Sequence, residues 1–160
     1  MSTLQELAGK FCEDNQGCTL EMLDNGCGAT LSAGSLRVRL ALQPGGSMLV
    51  AQAGVGILPS EGREKFALRL LAANDLLEET RCMTLGLNAE AEVVTLQAAW
   101  DISALNQEGF SNFMQHIFTE ALRWIQTLDD PNWADASSGA APGEGVPAGA
   151  APGGGMWMKM

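Results

Sequence analysis

The chain has 160 residues, of which 19 are acidic and 9 basic, for a net charge of -10. That sign of charge repels phosphate backbones and anionic membrane surfaces, so neither nucleic acid binding nor membrane insertion is expected. No apolar run approaches the ~20 residues of a bilayer span, and the opening "MSTLQELAGKF" lacks the basic start and apolar middle of a secretory signal, so a cytosolic protein is expected.

The length suits one domain, residues 1–130, followed by an appendage, residues 131–160. A domain of about 130 residues buries roughly two thirds of the surface its unfolded chain exposes, enough for a core without disulfides or metal. Cys12, Cys18, Cys27 and Cys82 form no C-x-x-C pair, and the single His116 adds little ligand capacity. Reduced, mostly buried thiols are expected, with no metal and no cofactor.

Thr3-Leu4-Gln5-Glu6 is a capping box, and Leu4, Leu7, Ala8 and Phe11 follow at helical spacing until Gly17, which predicts a first helix. Between Cys18 and Gly54 the period becomes two. Leu36, Val38, Leu40 and Leu42 alternate with Arg37, Arg39, Ala41 and Gln43, and turn signals stand at Asp24-Asn25-Gly26, Ala33-Gly34 and Pro44-Gly45-Gly46. An antiparallel meander is predicted, ended by Gly54-Val55-Gly56-Ile57-Leu58-Pro59.

Ser60 is the expected cap of a second helix, with Glu61 and Glu64 in its first turn and Phe66, Leu70, Ala73 and Leu77 on one face, beside Leu71. Met83, Leu85 and Leu87 then share one strand face, Asn88 to Glu92 turns the chain, and Val94, Leu96, Ala98 and Trp100 alternate on the return. A third helix is marked by Phe110, Phe113, Met114, Ile117, Ala121, Leu122, Ile125 and Leu128. The pattern predicts an α+β fold of order α-β-β-β-α-β-β-α, with room for one extra short strand early on, in which three helices flank a twisted antiparallel sheet. Beyond Asp130 the alanine, glycine and proline content, with "AAPG" twice, predicts a flexible tail whose tip "MWMKM" is apolar.

No reactive constellation emerges. The chain has no G-x-S-x-G, and "PGGSM" and "AGVGIL" lack a P-loop lysine and the full dinucleotide fingerprint, so these glycines are read as turns. His116 falls beside Asn112, Gln115 and Glu120 on the polar side of the third helix. Glu78-Glu79, Glu90-Glu92 and Asp129-Asp130 lie at an element end, a turn and the tail boundary, where solvated charge is expected. No catalytic residue is assigned, and an enzyme is not expected. Met22, Met48, Met83 and Met114 suit both core filling and adaptable apolar surface.

The run "LLAANDLLEETRCMTLGLNAEAEVVTLQAAWDISALNQEGFSNFMQHIFTEALRWIQTL" resembles the second half of class I type III secretion chaperones, the group that includes the Tir chaperone. Ala73-Asn74-Asp75-Leu76-Leu77 matches an "ANLL"-like helix end, Leu85-Gly86-Leu87 an "LGL" strand, Val94-Thr95-Leu96 a "V-x-L" strand, and Gly56-Ile57-Leu58-Pro59 a "G-x-LP" helix entry. The resemblance spans about residues 1–129, typical of a single domain.

It implies a homodimer without nucleotide or catalysis, whose partner is the N-terminal region of a secreted effector held in extended form and kept export-competent. The dimer-forming part would lie near Leu68, Leu71, Met83, Leu85 and Leu87. Leu7 and Phe11, Leu31, Leu36 and Val38, and Leu49, Val55 and Ile57 are nominated as effector-binding. An adaptor or regulatory binding module on the same fold, without an export substrate, is the alternative. The tail is longer than the family pattern. Met156, Trp157 and Met158 suit a docking peptide for a component of the secretion apparatus, a segment folding back onto the chain's own groove, or an unemployed terminus.

Overall fold

The computed structural model describes residues 3–23 and 26–135. Asp24 and Asn25 of the first expected turn, and the tail from Ala136 with Met156, Trp157 and Met158, lie outside the described residues.

Helix α1 (Leu4–Asp14) begins as its capping box requires: the Glu6 amide donates to Thr3 Oγ1 at 3.2 Å and the Thr3 amide to Glu6 Oε2 at 2.8 Å. Its apolar stripe of Leu4, Leu7, Ala8 and Phe11 is buried. Asn15 ends the helix, its backbone and side-chain N–H groups both donating to the Phe11 carbonyl. Gly17, at φ 84°, makes the turn into the sheet.

The meander has four strands, β1 (Cys18–Met22), β2 (Gly28–Ala33), β3 (Leu36–Leu42) and β4 (Met48–Ile57), so the short additional strand is present as β1. With β5 (Thr84–Asn88) and β6 (Val93–Asp101) they form one antiparallel sheet in the order β1-β2-β3-β4-β6-β5. Register sorts the two faces. Leu20, Leu31, Val38, Ala53, Leu96 and Leu85 form one continuous inner row, while Glu21, Thr30, Arg39, Gln52, Gln97 and Thr84 form an outer row across all six strands. The period-two pattern thus separates an apolar face, covered by α1 and α3 (Gln107–Leu128), from a polar one.

Gly54 to Ile57 does not end the meander as expected but continues β4 through a bulge: the register against β6 shifts between Gly54 and Gly56. The unpaired Val55 stays buried, Gly56 lies against Leu128, and Ile57 is turned outward at 76% exposure. A Cβ on Gly56 would meet Leu128 Cδ1 at 2.9 Å, so this crossing needs glycine.

The second helix, α2 (Arg63–Ala73), also departs from expectation. Its N-cap is Gly62 at φ 67°, not Ser60, and no side chain caps it; Glu64 is the acidic residue of its first turn. It ends at Ala73, so Leu77 falls outside it, in a connection where Leu76, Leu77, Arg81 and Cys82 all have left-handed backbone (φ 49° to 67°). Asn88 shapes the β5–β6 hairpin by accepting from the Ala91 amide at 3.2 Å, and Asn106 caps α3 by accepting from Gly109 at 2.7 Å.

The core is aromatic where the helices meet the sheet. Phe11 stacks on Phe118 and meets Phe110 edge-on, and Trp100, half exposed, meets Phe113 edge-on. The folded unit extends past the boundary expected at Asp130, because Trp133, in a 3-10 turn (Trp133–Asp135), is buried against Phe66 and Trp124 with the Arg69 guanidinium 4.9 Å above its ring. Burying such an aromatic side chain contributes about 1.5–3 kcal/mol, enough to order a short segment. The thiols are more accessible than expected: Cys12 and Cys18 are half-buried, and Cys27 and Cys82 are exposed. No helix among the described residues is long and apolar enough to cross a membrane.

Candidate interaction surfaces

Two edges bound the sheet, and each brings apolar side chains beside strand backbone. At the β1 edge, the Leu23 amide donates to the Gly28 carbonyl at 3.0 Å, which sets the parity of the ladder. Odd-numbered β1 residues bond to β2, whereas Leu20 and Met22 direct amide and carbonyl outward, without a partner among the described residues. Beside Cys18, at the start of this strand, an open groove of ≈ 480 Å³ lies between the end of α1, the β2–β3 turn and α3. Phe11, Leu36, Phe118 and Leu122 give it apolar walls, and Asn15 and Gln115 a polar rim. Leu122, expected on the buried face of the third helix, is 50% exposed here.

The β5 edge is closed at its centre. The Asn74 side chain accepts from the Leu85 amide at 2.8 Å and donates to the Leu85 carbonyl at 2.9 Å, so one amide group imitates a strand neighbour. Around this plug the apolar side chains project outward: Leu68 is 59% exposed, Leu71 67%, Leu76 81%, and Leu87 and Leu77 also reach solvent. Leu68 and Leu71, three residues apart on α2, share one side of the helix.

A charged network braces the connection between them. Glu120 is fully buried, a correction to its expected place on the polar side of the helix, because Arg81 reaches it across the connection at 2.7 Å and Arg123 at 2.6 Å. Arg123 also donates to the Glu79 carbonyl, and Arg69 makes a two-pronged pair with the Glu79 carboxylate at 2.5 and 2.8 Å. That guanidinium holds the Glu79 carboxyl below the usual carboxylate range. His116 stays exposed on α3, with Nε2 3.4 Å from the Arg81 carbonyl. Among the described residues no three His, Cys, Asp or Glu side chains gather as a metal site.

Of the residues nominated for effector contact, Leu7, Leu31, Val38, Leu49 and Val55 are core side chains of this chain, Phe11 and Leu36 are buried but reach the groove wall, and Ile57 is exposed at a separate patch beside Val93, Ile125 and Leu128. The physical reason is the one-faced sheet: alternation marks an inner face that α1 and α3 cover, and Leu7 belongs to the buried stripe of α1 that does the covering. Among the dimer nominees, Leu68, Leu71 and Leu87 are on the surface, while Met83 and Leu85 pack inside. Sequence reasoning missed Phe118 as a groove residue, Asn74 as the plug and Leu76 as the most exposed leucine. Asn74 carried a signal, an asparagine just past a helix end before a strand, which pattern reading treats as punctuation.

Comparison with known proteins matches this architecture. The model of the Tir chaperone protein (CesT) family covers residues 14–124, well over half of the chain. Among solved structures, the fold is shared with the ExsC–ExsE complex (17% identity, 79% of this chain and 97% of that one, TM-score 0.57). It is shared with the Yersinia pestis type III secretion chaperone SycH bound to a fragment of YscM2 (16%, 76% and 99%, 0.56). The HopA1–SchA chaperone–effector complex is similar too (15%, 75% and 91%, 0.57). At these identities the likeness concerns the fold. No curated protein sequence matches the chain significantly. The family match runs from the end of α1 to within a turn or so of the end of α3, across the whole six-stranded sheet, and the chain belongs to the Tir chaperone protein (CesT) family.

Proposed function

We propose that this protein is a cytosolic class I type III secretion chaperone, a homodimer that holds the N-terminal segment of a secreted effector in extended form and keeps it export-competent. The observation that carries the reading is the β1 edge: outward backbone at Leu20 and Met22 on a strand whose Cys18 end opens into an apolar groove walled by Phe11, Leu36, Phe118 and Leu122. An extended segment would satisfy its own amides along such an edge while alternate side chains enter the groove. The described relatives bound to an effector or a partner fragment support the same assignment.

Within this reading Phe11, Leu36 and Ile57 remain candidate contacts, joined by Phe118 and Leu122, and the deeper nominees hold the surface from beneath. The α2–β5 face with Leu68, Leu71, Leu76 and Leu87 would form the dimer, its exposed leucines exceeding what single scattered residues explain. The net charge of -10 would keep a chain with such patches soluble.

The test is co-expression with the N-terminal region of a candidate effector, followed by hydrogen exchange on the purified complex. The expected result is new protection at the Leu20 and Met22 amides and none at Leu87. Binding only to a folded partner, with β1 exchange unchanged, would assign the chain to the adaptor alternative. Truncation after Asp135 separates the tail: unchanged binding and export would remove the apparatus-docking role proposed for it.

A further inference from the structure

Two half-buried thiols meet where α1 hands over to β1. Cys12 lies in the last turn of α1 and Cys18 opens β1. Their Sγ atoms are 2.7 Å apart, only about 0.7 Å beyond the length of a disulfide bond. The backbone holds them there from both sides. Asn15 fastens the helix end to the Phe11 carbonyl, the Cys18 amide donates to the Asn15 carbonyl at 3.1 Å, and Cys18 is paired with Ala33 in the sheet.

At that separation the two sulfurs lie closer than an S–H···S hydrogen bond between reduced thiols holds them, yet short of a covalent bond. Burial, with Cys18 alongside, pushes the Cys12 thiol up to about 12, so Cys12 holds its proton at neutral pH. Cys18 lines the groove, whereas Cys12 does not, so a small reagent arriving from solvent meets Cys18 first.

We infer that Cys12 and Cys18 are an oxidisable dithiol, closed by a low-molecular-weight disulfide such as oxidised glutathione into an intramolecular bond that fastens α1 to β1 at the end of the groove. In the first step the Cys18 thiolate attacks one glutathione sulfur. The mixed disulfide forms, the glutathione S–S bond breaks, and one glutathione leaves as thiolate and takes up a proton. In the second, Cys12 loses its proton to solvent and attacks Cys18 Sγ. The protein disulfide forms, the mixed disulfide breaks, and the second glutathione leaves. Two protein thiols are oxidised by two electrons, and one glutathione disulfide is reduced to two thiols. Because Cys12 gives up its proton reluctantly, closure accelerates as pH rises.

The experiment uses the full chain carrying Cys27→Ser and Cys82→Ser, both at exposed positions, incubated with oxidised glutathione and read by intact mass, thiol titration and thermal melting. The expected result is joint loss of both thiols and a mass decrease of about 2 Da in a single chain. The melting temperature should rise by roughly 5 °C, as a short-loop crosslink gives, and return with dithiothreitol. Adding Cys12→Ser should leave a persistent glutathione adduct on Cys18. A persistent adduct on the two-thiol chain, a disulfide-linked pair of chains, or two thiols that survive the incubation would each overturn the inference.

Discussion

At the β1 edge of the sheet the backbone is open and the apolar surface is recessed; at the β5 edge the backbone is plugged and the apolar surface projects. Every sheet edge is a template for another chain, and this protein treats its two templates differently. Along β1, Leu20 and Met22 keep outward amides and carbonyls, and at the Cys18 end of the strand lies a groove walled by Phe11 and Phe118. Beside β5, Asn74 occupies both backbone groups of Leu85, so strand addition is blocked there while Leu68, Leu71 and Leu76 stand out as side-chain contacts. The first chemistry suits an extended, sequence-tolerant guest held through its backbone. The second suits a fixed, self-complementary face.

The largest way to break this contrast is at α2. Leu68→Glu with Leu71→Glu should raise the dissociation constant of the proposed dimer by roughly 100-fold or more, as charges entering an apolar contact do. Light scattering should then report half the mass with unchanged far-UV circular dichroism; an unchanged mass would mean that the dimer uses another face.

Removing the plug comes next. Asn74→Ala leaves the Leu85 amide and carbonyl without a partner and should cost about 1–3 kcal/mol in urea unfolding. Asn74→Asp keeps the acceptor for the amide but loses the donor, so it should fall between alanine and the natural residue; equal losses for both would show that the amide geometry does not matter.

On the other edge, Leu122→Asp should weaken the proposed binding of an effector segment by about 10-fold, near 1.4 kcal/mol, without changing the mass of the proposed dimer. Loss of the dimer by this substitution would erase the division between the edges. The smallest effect is a pH dependence. Glu79 has its pKa lowered from 4.5 by Arg69, so the folded state binds fewer protons than the unfolded one around that value. Its contribution is present above pH 4.5 and fades as pH falls through the folded pKa. Arg69→Gln should flatten this acid slope, measured as the urea midpoint between about pH 5 and 3.

What was legible in the sequence was local. The Thr3–Glu6 capping box, the alternation of β3, the turn at Asn88 and the long period of α3 each depend on residues within a few positions of one another, and each folds as its pattern implies. What was not legible depended on distant partners. Glu120 reads as a solvated helix residue until Arg81, 39 positions earlier, is brought over it. Trp133 reads as the start of a tail until Phe66 and Trp124 enclose it. The bulge at Val55 follows the period of two until packing against Leu128 favours glycine at the next position and turns Ile57 outward.

The nominated contact residues divide along the same line. Periodicity identified apolar positions such as Leu7, Leu31, Val38 and Leu49 and left open whether a helix of the same chain or another molecule covers them; α1 and α3 supply the cover.

By itself, then, the sequence determined the elements, the polar and apolar faces of the sheet, and the family pattern, because those follow from spacing and short-range hydrogen bonding. Only the tertiary structure decided which edge is plugged and which polar groups are buried, because that turns on single contacts between separate elements: Asn74 reaching Leu85, Arg81 reaching Glu120, and Gln107 of α3 donating to the Leu7 carbonyl of α1.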